Sequence, residues 1–129
     1  MTGLPLTNRC VVAAIPDLFF AARVKEVARA SGTSLVLTAA GHVPEVAEVR
    51  KPQLVILELG GSAEVLDAAR ELKANPATRA IRVVGFYSHV DQETRRAAEA
   101  AGVDLVLPRS AFTARLAELM AGAAPEAAS

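Results

Sequence analysis

Five short runs rich in branched aliphatic residues recur along the chain: RCVVAAI at 9–15, Thr33–Ala39, PQLVILELGG at 52–61, Ile81–Tyr87 and Val103–Leu107. Segments with a helical period separate them. A run that is apolar on both faces suits a strand covered from two sides. Strands alternating with helices of about 10–15 residues predict a parallel sheet with helices on both faces. Right-handed crossovers and the chain length favour a flavodoxin-like, doubly wound α/β fold, with five strands in the order 2-1-3-4-5 and five helices.

The first helix is expected over about Asp17 to Ser31, with Phe20, Val24, Val27 and Ala28 on one face and Gly32 as its stop. Pro44 suits the first turn of a short second helix reaching Arg50. Ser62 is placed to cap a third helix running to Lys73, with Val65, Leu66, Ala69 and Leu72 inward, before Asn75-Pro76 breaks it. Asp91 caps an Ala-rich fourth helix that stops at Gly102. The fifth starts near Ser110 and carries Phe112, Leu116 and Leu119 at helical spacing. No repeat or linker divides the chain, so residues 1–129 read as one domain. Residues 1–8 form a lead-in and 122–129 a tail, both expected to be flexible.

Composition narrows the function classes. The 129 residues suffice for a core without disulfides or a structural metal. The hydrophobic share of 52% includes 27 alanines and only 4% aromatics, so packing rests on aliphatic and close Ala contacts. A formal net charge of zero gives no general attraction for nucleic acid or an anionic membrane. Cys10 lies in an apolar run, as expected of a reduced, buried thiol in a cytoplasmic protein. There is no apolar stretch near 18 residues and no signal-peptide pattern. The two His and one Cys lack ligand spacing, so neither a metal site nor a cofactor is predicted.

In a doubly wound sheet, chemistry gathers at the carboxyl ends of the strands. Those ends are Ile15-Pro16-Asp17, Glu58–Ser62, Tyr87–Asp91 and Leu107–Ser110. The strand ending at Glu58, the segment IRVVGFYSHVD and the later AGVDLVLPRSAF resemble a response-regulator receiver domain over nearly the whole chain. GFYSHVD and PRSAF are similar in particular to small, stand-alone receiver-like proteins of bacteria.

The resemblance implies a phosphorylation site built from acidic residues after strand one, an aspartate nucleophile, a lysine and a switching hydroxyl. At the matching positions stand Ile15 and Pro16, then Asp17, Glu58, Arg109, and Tyr87 followed by Ser88. Val106 replaces the aromatic usual in strand five. A hard cation needs several clustered oxygens, and Ile15 and Pro16 supply none from their side chains. Asp17 suits the N-cap of the first helix. Glu58 is one methylene longer than Asp, and a displacement on the order of 1 Å costs roughly a hundredfold in rate. Arg109 keeps the lysine's charge and changes its geometry. These replacements predict a degenerate, phosphorylation-independent pseudo-receiver.

Glu58 and Arg109, from neighbouring strand ends, are expected to form a charge-assisted pair. Ser88, His89 and Asp91 lie too close in sequence to make a hydrolytic triad, so Ser88 and Asp91 read as turn and cap residues and no enzyme activity is predicted. Gly60-Gly61-Ser62 lacks the fuller pattern of a phosphate loop and reads as a compact turn. The expected function is a protein-interaction module in bacterial signalling or cellular organisation. Its expected face, helix 4–strand 5–helix 5, is suited to a protein partner or to a homodimer and carries Val90, Arg95, Ala98, Val106 and Phe112. The alternative is a small-ligand sensor with a crevice lined by Asp17, Glu58, Gly61, Tyr87, His89 and Arg109.

Overall fold

In the computed structural model, residues 9–60, 63–88 and 91–122 are described. Their elements run β1 (Cys10–Ala14), α1 (Leu18–Ala30), β2 (Ser34–Leu37), a 3-10 turn (Ala40–His42), α2 (Val43–Arg50), β3 (Leu54–Glu58), α3 (Ala63–Ala74), β4 (Arg82–Tyr87), α4 (Gln92–Ala100), β5 (Leu105–Pro108) and α5 (Arg109–Ala121). All five strands are parallel, in the order β2-β1-β3-β4-β5. This is the flavodoxin-like arrangement expected from the alternation of runs.

Period-two alternation divides the sheet between two cores. Val12, Ala14, Val55, Leu57 and Val83 face α2, α3 and α4. Val11, Ala13, Ile56, Val84 and Phe86 face α1 and α5. Asp17 caps α1 by accepting from the N–H groups of Phe19 and Phe20, and Asp91 caps α4 by accepting from Glu93 and Thr94. Ser62, the expected cap of α3, lies outside the described residues, as do the lead-in 1–8 and the tail from residue 123.

The expected strand Thr33–Ala39 ends at Leu37, ahead of the 3-10 turn, and two further boundaries move for local reasons. The expected strand at Val103–Leu107 begins at Leu105 because the Val103 N–H closes the end of α4 on the Ala98 carbonyl. The last helix starts at Arg109, since Pro108 fixes the extended entry and itself occupies the N-cap. Arg109 is therefore a first-turn residue of α5.

Ala98, Val106 and Phe112 were expected on a partner-binding face, and the structure corrects this. All three are buried, Ala98 and Val106 against the α3–α4 side of the sheet and Phe112 in the α1–α5 core. The phase of α4 and α5 turns these apolar positions inward, as burial favours. Arg95 remains exposed on α4. Val90 lies outside the described residues.

Candidate functional site

At the carboxyl end of the sheet, three chain segments meet on one guanidinium. The Nη1 of Arg109 donates to Oδ2 of Asp17 at 3.2 Å. Its Nη2 lies 4.0 Å from Oε2 of Glu58. Glu58 also turns its Oε1 to the Asp17 backbone N–H, 3.2 Å away. One carboxylate thus holds the entry of α1 while both face the same cation. The three side chains are partly shielded, at 30% exposed for Arg109, 35% for Asp17 and 22% for Glu58. Shielding of that degree makes the contact worth more than a surface ion pair.

The expected Glu58–Arg109 pair is present, but Asp17 is the closer partner. The two residues also do not come from neighbouring strands, because β4 lies between β3 and β5. Arg109 crosses the end of β4 to reach Glu58. It does so over aromatic rings: its Cζ sits 4.3 Å from the Phe20 centroid and 5.6 Å from that of Phe86. Phe86 stacks in turn on Phe112 at 4.7 Å. The Nε of Arg109 is buried with no acceptor among the described residues, so terminal nitrogens and ring faces hold the group.

A cation in the first turn of a helix opposes the macrodipole, and α5 has no acidic residue there of its own. Asp17 and Glu58 supply the compensating charge from other elements. The carboxyl of Asp17 lies below its ordinary value of 3.8, first because the Phe20 N–H donates to it. Partial desolvation opposes that shift, and Arg109 and the Phe19 N–H reinforce it.

The other predicted positions divide between core and rim. Ile15 is buried in the α1–α5 core, whereas Pro16 is exposed. Tyr87 is buried against the α2–α4 side of the sheet and Ser88 is exposed. The expected ligand crevice is not a single cavity. Glu58, Tyr87 and Ser88 line one shallow cleft of about 320 Å³ together with Gly60, Asp91 and Thr94. Arg109 lines another with Ser88, Pro108, Ser110 and Thr113. Asp17 lines neither, and Gly61 and His89 lie outside the described residues. Among the described residues no group of three or more His, Cys, Asp or Glu is arranged to hold a metal ion.

Sequence reasoning missed the double use of Asp17 as cap and counter-ion, and the aromatic seat of Arg109. The available signal was Phe20 three residues after the capping Asp17, together with Phe86 one residue before the strand-four end.

No protein-family model matches the sequence, and no curated protein matches it. Solved structures do match. A receiver domain from Rhodospirillum rubrum is 20% identical, with 87% of this chain and 91% of that one covered and a TM-score of 0.69. The signal receiver domain of a DNA binding response regulator from Colwellia psychrerythraea is 15% identical, with 87% and 95% covered and a TM-score of 0.74. The receiver domain of a sensor histidine kinase from Pseudomonas aeruginosa, solved with a magnesium ion coordinated in the active site cleft, is 15% identical, with 88% and 98% covered and a TM-score of 0.73. The chain therefore has the fold of receiver domains.

Proposed function

We propose that the chain is a pseudo-receiver: a protein-interaction module of bacterial signalling or cellular organisation that holds one conformation without phosphorylation. The observation that carries this reading is the Arg109 guanidinium, seated between Asp17 and Glu58 and over Phe20. A phosphoryl group or a hard cation at the sheet's carboxyl end would have to displace a cation already paired and stacked there. The nucleophile position holds Glu58, whose Oε1 is engaged by the Asp17 N–H. The receiver-like fold, with Arg109 occupying the carboxyl end of its sheet, supports a docking role. A small-ligand role is less well supported, because of the residues expected to line one crevice Glu58 and Tyr87 line one open cleft, Arg109 lines another and Asp17 lines neither.

The test is intact-mass measurement after incubation with a small-molecule phosphodonor and Mg²⁺. The expected result is unmodified protein. A stoichiometric phosphoryl adduct on Glu58 or a nearby residue would overturn the reading. Affinity capture with and without the phosphodonor should recover the same protein partner in equal yield, and Arg95→Glu tests whether the exposed face of α4 takes part.

A further inference from the structure

The two edges of the sheet are finished differently. At β5 the strand is preceded by exposed Asp104 and ends in Pro108, and both features discourage strand addition. At β2 the run Ser34–Leu37 contains no charge and no proline, and no strand of the sheet lies outside it. The Ser34 N–H donates to Arg9 and the Thr38 N–H to Ala13, so the even-numbered residues turn their backbone toward β1. In a parallel ladder the backbone N–H and C=O of Leu35 and Leu37 then point outward. Their side chains lie on the α1 side of the sheet, as the packing of Leu35 shows.

Between this edge and α1 runs a groove of about 460 Å³, bounded by Ala22, Lys25, Glu26 and Arg29 of the helix and by Thr33 and Leu35 of the strand. Its charges do not cancel. The Glu26 carboxylate is taken by Arg29 at 3.2 Å. Lys25 is exposed and has no ion pair among the described residues. No other acidic side chain lines the groove among those residues, and β2 brings none. One uncompensated cation therefore stands beside Leu35. Toward the carboxyl end of the sheet the flank is apolar instead, with Leu18 80% exposed and Leu37 38% exposed.

We propose that the β2 edge is a docking site for an extended, acidic segment of a partner protein, which adds antiparallel to Ser34–Leu37 as a further strand. The segment presents an apolar residue and, two positions later, a carboxylate on the face turned to α1. This inference rests on the reading of the chain as a protein-interaction module, and adds the surface and the partner's chemistry. Three observations select the occupant. The outward groups of Leu35 and Leu37 offer donors and acceptors at the strand spacing, which a polypeptide backbone matches. A phosphodiester chain brings no backbone N–H to their carbonyls. The net positive groove favours an acidic segment over a basic one, because a carboxylate opposite Leu35 faces Lys25. The side chain two positions earlier in an antiparallel strand lies opposite Leu37 and beside Leu18, where an apolar group leaves water. The strand of a second copy would bring Lys25 no counter-charge, since Ser34–Leu37 has none.

Fluorescence anisotropy on the full chain tests this with a labelled, capped heptapeptide of threonines carrying leucine at its third position and glutamate at its fifth. Wild type is expected to bind it with a Kd below about 1 mM. A peptide with lysine in place of the glutamate should bind at least about fivefold more weakly. Lys25→Glu should reverse that preference. Leu37→Pro removes an outward N–H without breaking the ladder to β1 and should cost at least about tenfold. Arg95→Glu, at the far edge, should leave binding unaltered. Far-UV circular dichroism confirms that the variants fold. No binding up to about 1 mM, equal binding of the two peptides, or full affinity in Leu37→Pro would overturn the proposal. So would displacement of the peptide by an equal concentration of a single-stranded oligonucleotide, or a dimer in sedimentation velocity that Leu37→Pro dissociates, which would assign the edge to a second copy. Such a failure strikes the edge site alone; the module reading fails separately, on a phosphoryl adduct.

Discussion

At the scale of single residues, Arg109 explains most of the site. Replacing it with Ala leaves two carboxylates facing each other without their cation and uncovers the Phe20 ring. The expected cost is roughly 1–2 kcal/mol, read from urea unfolding. Arg109→Lys should recover less than half of it, because an ammonium cannot both stack on the ring and bridge two acceptors. Acid titration provides a second check. Asp17 has a depressed folded-state value, so its contribution is complete above the unfolded value and is lost as pH falls through the folded one. Stability should therefore be flat from neutral pH to about 5 and fall below about 4. In Asp17→Asn that acid limb should be shallower. Asp91 is depressed in the same way, first by the Thr94 hydroxyl, so it maintains part of the limb in the variant.

At the scale of elements, close approach matters more than propensity. Gly85 lies mid-strand in β4, where an added Cβ would meet Cδ1 of Leu59 at 2.7 Å. Gly85→Ala should cost roughly 1–3 kcal/mol by overpacking, with a lower thermal midpoint and an unchanged fold. Helix 4 shows how phase divides one Ala-rich segment into two surfaces. Ala98 is fully buried while Arg95, Arg96 and Glu99 are exposed. A charge at Ala98 therefore probes the core: Ala98→Glu should destabilise by more than about 2 kcal/mol and cannot report on partner binding. The strands and helices were legible because their periods repeat over many residues. The ends of β5 and the start of α5 were less so, since a closing hydrogen bond to Ala98 and the ring of Pro108 decided them.

At the scale of the whole molecule, two polar clamps tie distant elements together away from the site. Lys73 donates to the carbonyls of Arg79 and Ile81 and to the Asp104 carboxylate, which also accepts the Val83 N–H. This clamp joins α3, β4 and the entry of β5. At the end of α5, Thr33 and Arg9 donate to the Met120 carbonyl and Arg9 also to that of Leu119, so the last turn is satisfied by the start of the sheet. Thr33→Val leaves the buried bond to Met120 unmade, and a loss of about 1–2 kcal/mol is expected in thermal unfolding.

By itself the sequence determined the layered α/β architecture, the strand order and the side chains placed at the strand ends. Those properties follow from local period, from turn residues and from which side chain stands at each strand end. The choice of partners belonged to the tertiary structure. Asp17 and Arg109 are 92 positions apart, and nothing local to either dictates their contact. It arises because β1 and β5 end at the same edge of the sheet, and because the first turn of α5 aims Arg109 back across β4. The inward turn of Ala98, Val106 and Phe112 was decided in the same way, by the pose each element adopts once the sheet has formed.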